Sequence, residues 1–223
     1  MLTIDAAAFI LACYLWGSIS PAYLVARWRK GIDLRRYGSG NVGSSNLGVQ
    51  LGRVWTIAIG FLDLLKGVIP ITLARVWGFD AGAVVLAGLA TVIGHDWSLY
   101  LNFKGGRGMG TTAGLLFALD ARLALTLLFF IAVGWVVRRS AIGAFVGLLL
   151  LAPAAWLFRD APAVVVGGAL LALIIAVKRL EANRLPLPRE SQEKKAVLWR
   201  RLWMDRDVPR DQAWQERGKI ADG

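Results

Sequence analysis

Two glycine-rich polar segments interrupt a chain that is otherwise strongly apolar. The first is Gly38-Ser39-Gly40-Asn41-Val42-Gly43-Ser44-Ser45-Asn46. The second is Lys104-Gly105-Gly106-Arg107-Gly108, introduced by Gly94-His95-Asp96-Trp97. Loops of this kind present backbone N–H groups and small side chains to an anion. Lys104 and Arg107 flank a Gly-Gly pair that lets a ligand approach the backbone, and two cations neutralise a phosphate. Ser39, Asn41 and Asn46 offer hydrogen-bond donors to phosphate oxygens or to a hydroxyl; the same residue types also serve plain turns. The second loop lacks the strand–loop–helix setting and the Gly-Lys-Ser/Thr ending of a nucleotide loop, which argues against nucleotide binding.

Three further ionisable residues fall in apolar surroundings. Asp63 and Lys66 lie three apart in an apolar run and share a helix face. A structural ion pair and a role at a polar site both fit them. His95 is the only histidine; it reads either as a hydrogen-bonded core residue or as a proton acceptor. One histidine with scattered acids makes no convincing metal site, so no metal or cofactor is expected. A nucleophilic Ser39 is disfavoured because no histidine–acid pair accompanies it in sequence.

The elements that must position these groups are membrane spans. Of 223 residues, 57% are hydrophobic, and the formal charge is +11. Residues 178–223 hold 12 of the 26 Lys+Arg and 8 of the 15 Asp+Glu. The basic residues flank apolar runs, which points to anionic lipid headgroups rather than nucleic acid. Cys13, the one cysteine, lies in an apolar run and reads as a packing residue. The first basic residue is Arg27, after the first apolar run, so that run is expected to be a retained span rather than a secretory signal.

Apolar runs at 4–26, 54–74, 81–103, 109–137, 141–158 and 162–177 are long enough to consider as spans. Asp120 and Arg122 interrupt the long 109–137 run, and lipid disfavours charge at a helix centre. Splitting it there gives seven. Arg27, Arg29, Lys30, Arg35 and Arg36 put the first loop inside, and Arg138, Arg139 and the basic tail agree. The expectation is an all-α polytopic membrane protein of about seven transmembrane helices, with its N-terminus outside and its C-terminus cytoplasmic. Residues 1–178 form the membrane domain, with cytoplasmic loops at 38–46 and 104–108. Residues 179–223 form a basic cytoplasmic tail. Within it, Val197, Leu198, Leu202 and Trp203 alternate with Arg200 and Arg201, which fits either an interfacial helix near 195–204 or a solvated tail.

Taken together the segments resemble one family, the bacterial acyl-phosphate glycerol-3-phosphate acyltransferases known as PlsY. Gly17-Ser18-Ile19-Ser20-Pro21, Gly31-Ile32-Asp33-Leu34-Arg35 and the first glycine loop are similar to its first motif. Phe61-Leu62-Asp63-Leu64-Leu65-Lys66-Gly67 resembles its second-span sequence, and Gly94-His95 with Phe103-Lys104-Gly105-Gly106-Arg107-Gly108 resembles its second motif. The third motif departs furthest. In Lys178-Arg179-Leu180-Glu181-Ala182-Asn183-Arg184-Leu185-Pro186-Leu187-Pro188-Arg189-Glu190, Lys178 stands for the family's histidine, Glu181 for asparagine and Pro188 for glycine. Elsewhere Ser44-Ser45 replaces Ala-Thr, Val49 an arginine, Ser98 a proline and Arg107 a lysine.

The resemblance implies transfer of a fatty acyl group from acyl-phosphate to the 1-hydroxyl of glycerol 3-phosphate, giving lysophosphatidate for phospholipid synthesis at the cytoplasmic membrane. It also leaves room for a soluble enzyme that makes the acyl-phosphate. On this reading Ser39, His95 and Lys104 are the catalytic candidates. Gly38, Gly40, Asn41, Asn46, Gly105, Gly106, Arg107, Gly108, Lys178 and Arg179 are the phosphate-binding candidates. Two other readings stand beside it: a paralogue acylating another phosphorylated alcohol, and a non-catalytic phosphate- or lipid-binding membrane protein.

Overall fold

The computed structural model describes residues 3–184 and 186–207, and within them the chain is helical throughout with no strand. Helix α1 (Ile4–Ser18) starts at Thr3, whose Oγ1 accepts from the Ala6 N–H at 3.2 Å. The run expected as one span at 4–26 is two helices. Ser20 accepts from the Tyr23 N–H at 3.2 Å and Pro21 occupies the first turn of α2 (Pro21–Lys30), so the helix restarts there. Gly31, at φ 69°, ends it. Then follow α3 (Ser44–Leu51), α4 (Arg53–Val76), α5 (Ala81–Asp96), α6 (Met109–Leu119) and α7 (Ala121–Val136). The break between α6 and α7 falls at Asp120, whose carboxylate accepts from the Arg122 N–H at 2.7 Å and starts α7. Helices α8 (Ser140–Leu149) and α9 (Leu151–Leu157) meet at 45°, and α10 (Pro162–Glu181) and α11 (Ser191–Met204) complete the chain.

By length and composition four stretches suffice to cross a membrane, five if α8 and α9 act as one. Helix α6 has 11 residues, about 16 Å of rise against a hydrocarbon core of about 30 Å. Helix length alone therefore counts fewer crossings than the charge pattern. Large apolar side chains point outward around the bundle: Val54, Ile57, Trp135 and Val136 are each more than 70% exposed. In water such a surface would aggregate; in lipid it is the expected coat.

The core lies on α5, the most enclosed of the candidate spans, which packs against α1, α4 and α10. Missing side chains set the spacing. A Cβ on Gly17 or Gly94 would run into the facing backbone at Thr91 or Tyr14, so α1 and α5 touch main chain to main chain. Gly67 and Gly114 do the same for α4 and α6, against Thr111 and Leu64. Lipid offers no hydrophobic drive for helix association, and close backbone approach replaces it with dispersion contact.

Helix α10 continues past Lys178 to Glu181, so Arg179, expected as the first residue of the tail, lies within the bundle helix. Helix α11 folds back on α10 and α8. At the far end of the bundle, Arg75 donates to the carbonyls of Ala118 and Leu119 at 2.6 Å each, and Arg122 bridges Asp120 and Asp160.

Gly114→Ala should lower the thermal midpoint in detergent, at a cost of about 1–3 kcal/mol for overpacking. Gly60→Ala, whose new methyl would come no nearer than 3.9 Å to Ser44 Oγ, should not. Reaction of a thiol-sensitive dye with buried Cys13 during heating reads both; equal midpoints would refute the close-contact account.

Candidate phosphate-binding site

The first glycine loop is organised around one side chain. The Asn46 amide nitrogen donates to the carbonyls of Leu34 (3.3 Å), Tyr37 (2.9 Å) and Asn41 (2.9 Å), and its oxygen accepts from the Ser39 N–H at 3.2 Å. Asn46 is buried and committed to holding the loop. Gly38 (φ 55°) and Gly40 (φ 70°) adopt backbone that other residues rarely take. Asp33 and Arg35 pair at 2.7 Å, and Arg35 also donates to Leu101 O at 3.2 Å, tying this loop to the second. The Arg35 side chain holds the Asp33 carboxyl below the usual carboxylate range. That contribution is complete above the unfolded carboxyl's pKa and is lost as pH falls through the folded value.

The second loop lies flat on the end of α5. The Gly105 N–H donates to Asp96 O at 3.1 Å and the Gly106 N–H to His95 O at 2.9 Å. Both amides expected to cradle a phosphate are therefore spent within the fold. These glycines are small for a different reason: a Cβ on Gly105 would strike the His95 and Asp96 carbonyls, and one on Gly106 the His95 ring. The chain reverses through Asn102 and Phe103, both at positive φ, and leaves Lys104 exposed.

A cavity of about 540 Å³ opens where the two loops meet. Gly38, Ser39, Asn41 and Asn46 come to it from the first loop, and Arg107 and Gly108 from the second, with His95 and Asp63 also in its wall. Lys104, Gly40, Gly105, Gly106, Lys178 and Arg179 do not line it. Gly40 instead accepts from the Asn183 side chain at 3.2 Å. Lys178 is wholly buried, 3.6 Å from Glu181 and 5.1 Å over the Trp97 ring. Arg179, also buried, donates to Ala141 O (3.1 Å) and Leu202 O (2.9 Å) and sits over Phe145. Arg179 thus ties α10 to α8 and α11, whereas Lys178 has its ion pair within α10 and its Nζ makes no hydrogen bond among the described residues.

Sequence reasoning missed Arg138, Arg139 and Ser140 from the α7–α8 turn, and Met204, Asp205 and Arg206 from the end of α11. The arginine pair had been read only as a mark of orientation. Its place in the wall matters because Val49, also in the wall, brings no charge to it. Asp63, for which the sequence leaves an ion pair and a polar-site role open, stands in the wall as well: its Oδ1 lies 3.7 Å from His95 Nδ1 and 3.8 Å from Lys66 Nζ. Lys66 in turn donates to the Gly17 carbonyl at 3.0 Å and to the Ile19 carbonyl, where α1 breaks.

Three helix N-termini also reach this cavity. Helices α3, α6 and α8 begin after Gly43, Gly108 and Arg139, all in the wall, and none is capped by a side chain. Helices α1, α2, α5 and α7 have side-chain caps, whereas α4, α9, α10 and α11, which start away from the cavity, are uncapped as well. Uncapped N-termini carry partial positive charge and unpaired N–H groups, which an anion satisfies.

A family model described as glycerol-3-phosphate acyltransferase matches residues 7–185. The chain belongs to the glycerol-3-phosphate acyltransferase family. It is 35% identical to glycerol-3-phosphate acyltransferase 4 of Dehalococcoides mccartyi (strain CBDB1), over 95% of this chain and 94% of that one. It is 37% identical to a glycerol-3-phosphate acyltransferase of Thermotoga petrophila, over 68% of this chain and 78% of that one. Among solved structures, it superposes with a TM-score of 0.73 at 30% identity on the crystal structure of PlsY, an integral membrane glycerol 3-phosphate acyltransferase, in its glycerol 3-phosphate form. That match covers 79% of this chain and 89% of PlsY. The protein is thus an acyltransferase of phospholipid synthesis with an integral membrane fold.

Within this acyltransferase the placement of the two loop cations separates their roles. Arg107→Ala should cut turnover by about a hundredfold or more, as loss of a charge-stabilising donor does. Lys104→Ala should cost far less. Steady-state rates of the two purified variants decide, and a larger loss for Lys104→Ala would contradict the geometry.

Proposed function

We propose that the protein transfers a fatty acyl group from acyl-phosphate to the 1-hydroxyl of glycerol 3-phosphate, releasing inorganic phosphate and forming lysophosphatidate. The observation that carries this reading is the convergence of three uncapped helix N-termini and four arginines on one cavity. Each substrate brings a phosphate of about −1.5 to −2. Arg107, Arg138, Arg139 and Arg206, offset by Asp63 and Asp205, suit two such groups better than one. Val49, Met109, Ile142 and Met204 give the cavity an apolar side along which the acyl chain leaves for the membrane.

Acyl-phosphate is an activated anhydride, so transfer proceeds directly, without an acylated enzyme. Arg107 and the ends of α3, α6 and α8 hold the phosphates and draw charge from the leaving group. Ser39 orients the attacking hydroxyl. His95, with Asp63 beside Nδ1, accepts its proton. Lys104, exposed beside the cavity, is a cation of the membrane surface.

The topology follows the same division. Counting α1–α2, α4, α5, α6, α7, α8–α9 and α10 as seven crossings puts every cavity segment at one end of the bundle, and Arg75, Asp120, Arg122 and Asp160 at the other. With the N-terminus outside, the cavity end is cytoplasmic, as the arginine-rich turns favour. Residues 1–178 act as the membrane domain and α11 as a cytoplasmic element packed against it. A soluble enzyme that synthesises acyl-phosphate would deliver its product at this face of a cell membrane.

Purified protein given palmitoyl-phosphate and labelled glycerol 3-phosphate should form labelled lysophosphatidate; no product from folded protein would remove the reading. Within it, His95→Gln should lower kcat by about 10²–10⁴-fold with little change in KM. An unchanged kcat would take the proton acceptor away from His95.

A further inference from the structure

The family model ends at residue 185, yet the end of α11 beyond it forms part of the cavity wall. Its placement is firmly fixed. Arg179 holds Leu202 O at 2.9 Å, and buried Arg201 donates to Leu180 O at 3.1 Å. Trp203 packs edge-on to Phe145, with ring centroids 5.3 Å apart, and Val197 is buried. The helix therefore delivers its last residues to one spot. There Asp205 turns the chain at φ 53°, and its carboxylate forms an ion pair with Arg107.

Arg107 is the cation that the second loop contributes to the cavity, and its Nε is buried with no hydrogen-bond partner among the described residues. A carboxylate thus occupies, with a single charge, the guanidinium that a phosphate would take with nearly two. We infer that Asp205 is a resident counter-anion of Arg107, and that a substrate phosphate binds by displacing it, which frees the end of α11 from the cavity mouth. The inference rests on reading the cavity as a phosphate site. Asp205 acts through Arg107 and is a positioning residue: it keeps the guanidinium in place when no phosphate is bound. Because it is tethered, it competes at a high effective concentration and weakens phosphate binding. Only the cap must move; the bonds from Arg179 and Arg201 to the body of the helix stay.

Asp205→Asn keeps the shape and removes the charge. It should bind inorganic phosphate more tightly and lower the KM for glycerol 3-phosphate by about three- to tenfold, the range of a partly exposed ion pair. Asp205→Glu should stay near the parent. An equal or higher KM in Asp205→Asn would overturn the inference, since a merely structural carboxylate would raise KM when lost. The unaltered protein supplies an independent arm: saturating inorganic phosphate should speed amide hydrogen exchange at residues 205–207, where the cap N–H of Asp205 bonds to Arg201 O, and leave 201–204 unchanged. An unchanged exchange profile would overturn the inference even if Asp205→Asn failed to fold. Failure of the cavity reading itself looks different: inorganic phosphate would bind neither protein, and Arg107→Ala would leave turnover intact. Failure of the inference alone would leave phosphate binding present and equal in both.

Discussion

Positive charge gathered at one end of an apolar bundle is the constraint around which the protein is built. Three helices start at the cavity with no side chain to satisfy their first N–H groups, and Arg107, Arg138, Arg139 and Arg206 share its wall. Each cation repels the others in surroundings that screen poorly. Such an arrangement is tolerable next to lipid only when an anion is part of it. Asp205 supplies some of that charge at Arg107, while Asp63, also in the wall, faces Lys66 and His95. On the proposed reading, substrate phosphates supply the rest.

The bundle exists to hold these groups at fixed spacing. Helix α5 carries His95 to the cavity wall, and the second glycine loop lies on the carbonyls of His95 and Asp96. Close glycine contacts lock α1 on α5 and α6 on α4. Lys66 ties the break in α1 to Asp63, which faces His95. Arg179 links α10 to α8 and α11 through two carbonyls. Buried Arg179 thus serves the same end indirectly. It fixes α11, whose end forms part of the cavity wall.

Much of this was legible in the sequence. Apolar length and the charge at Asp120 gave helices and the break between α6 and α7, because a single acid at a helix start leaves a local signature. The glycine spacing located both loops, and Ser39, Asn41, His95, Arg107 and Gly108 do share one cavity. What stayed hidden depends on contacts between distant residues. Gly105 and Gly106 looked like an anion cradle, yet their N–H groups bond to the end of α5, a partner that residue type does not disclose. Lys104 and Arg107 are alike in sequence, and only the turn at Asn102–Phe103 sends one outward. Asn46 reads as a ligand donor in sequence; it does line the cavity, but the bonds by which it holds its own loop are not visible there. The amphipathic pattern near 195–204 indicated a helix but not the surface it covers, since Trp203 meets Phe145 across 58 residues.

The most direct test of the central claim is the structure of the protein with glycerol 3-phosphate bound. The account places the phosphate against Arg107, within reach of the N-termini of α3, α6 or α8 and the Ser39–Asn46 loop. A phosphate bound instead on the exposed surface at Lys104, or beside Lys178 within α10, would contradict it.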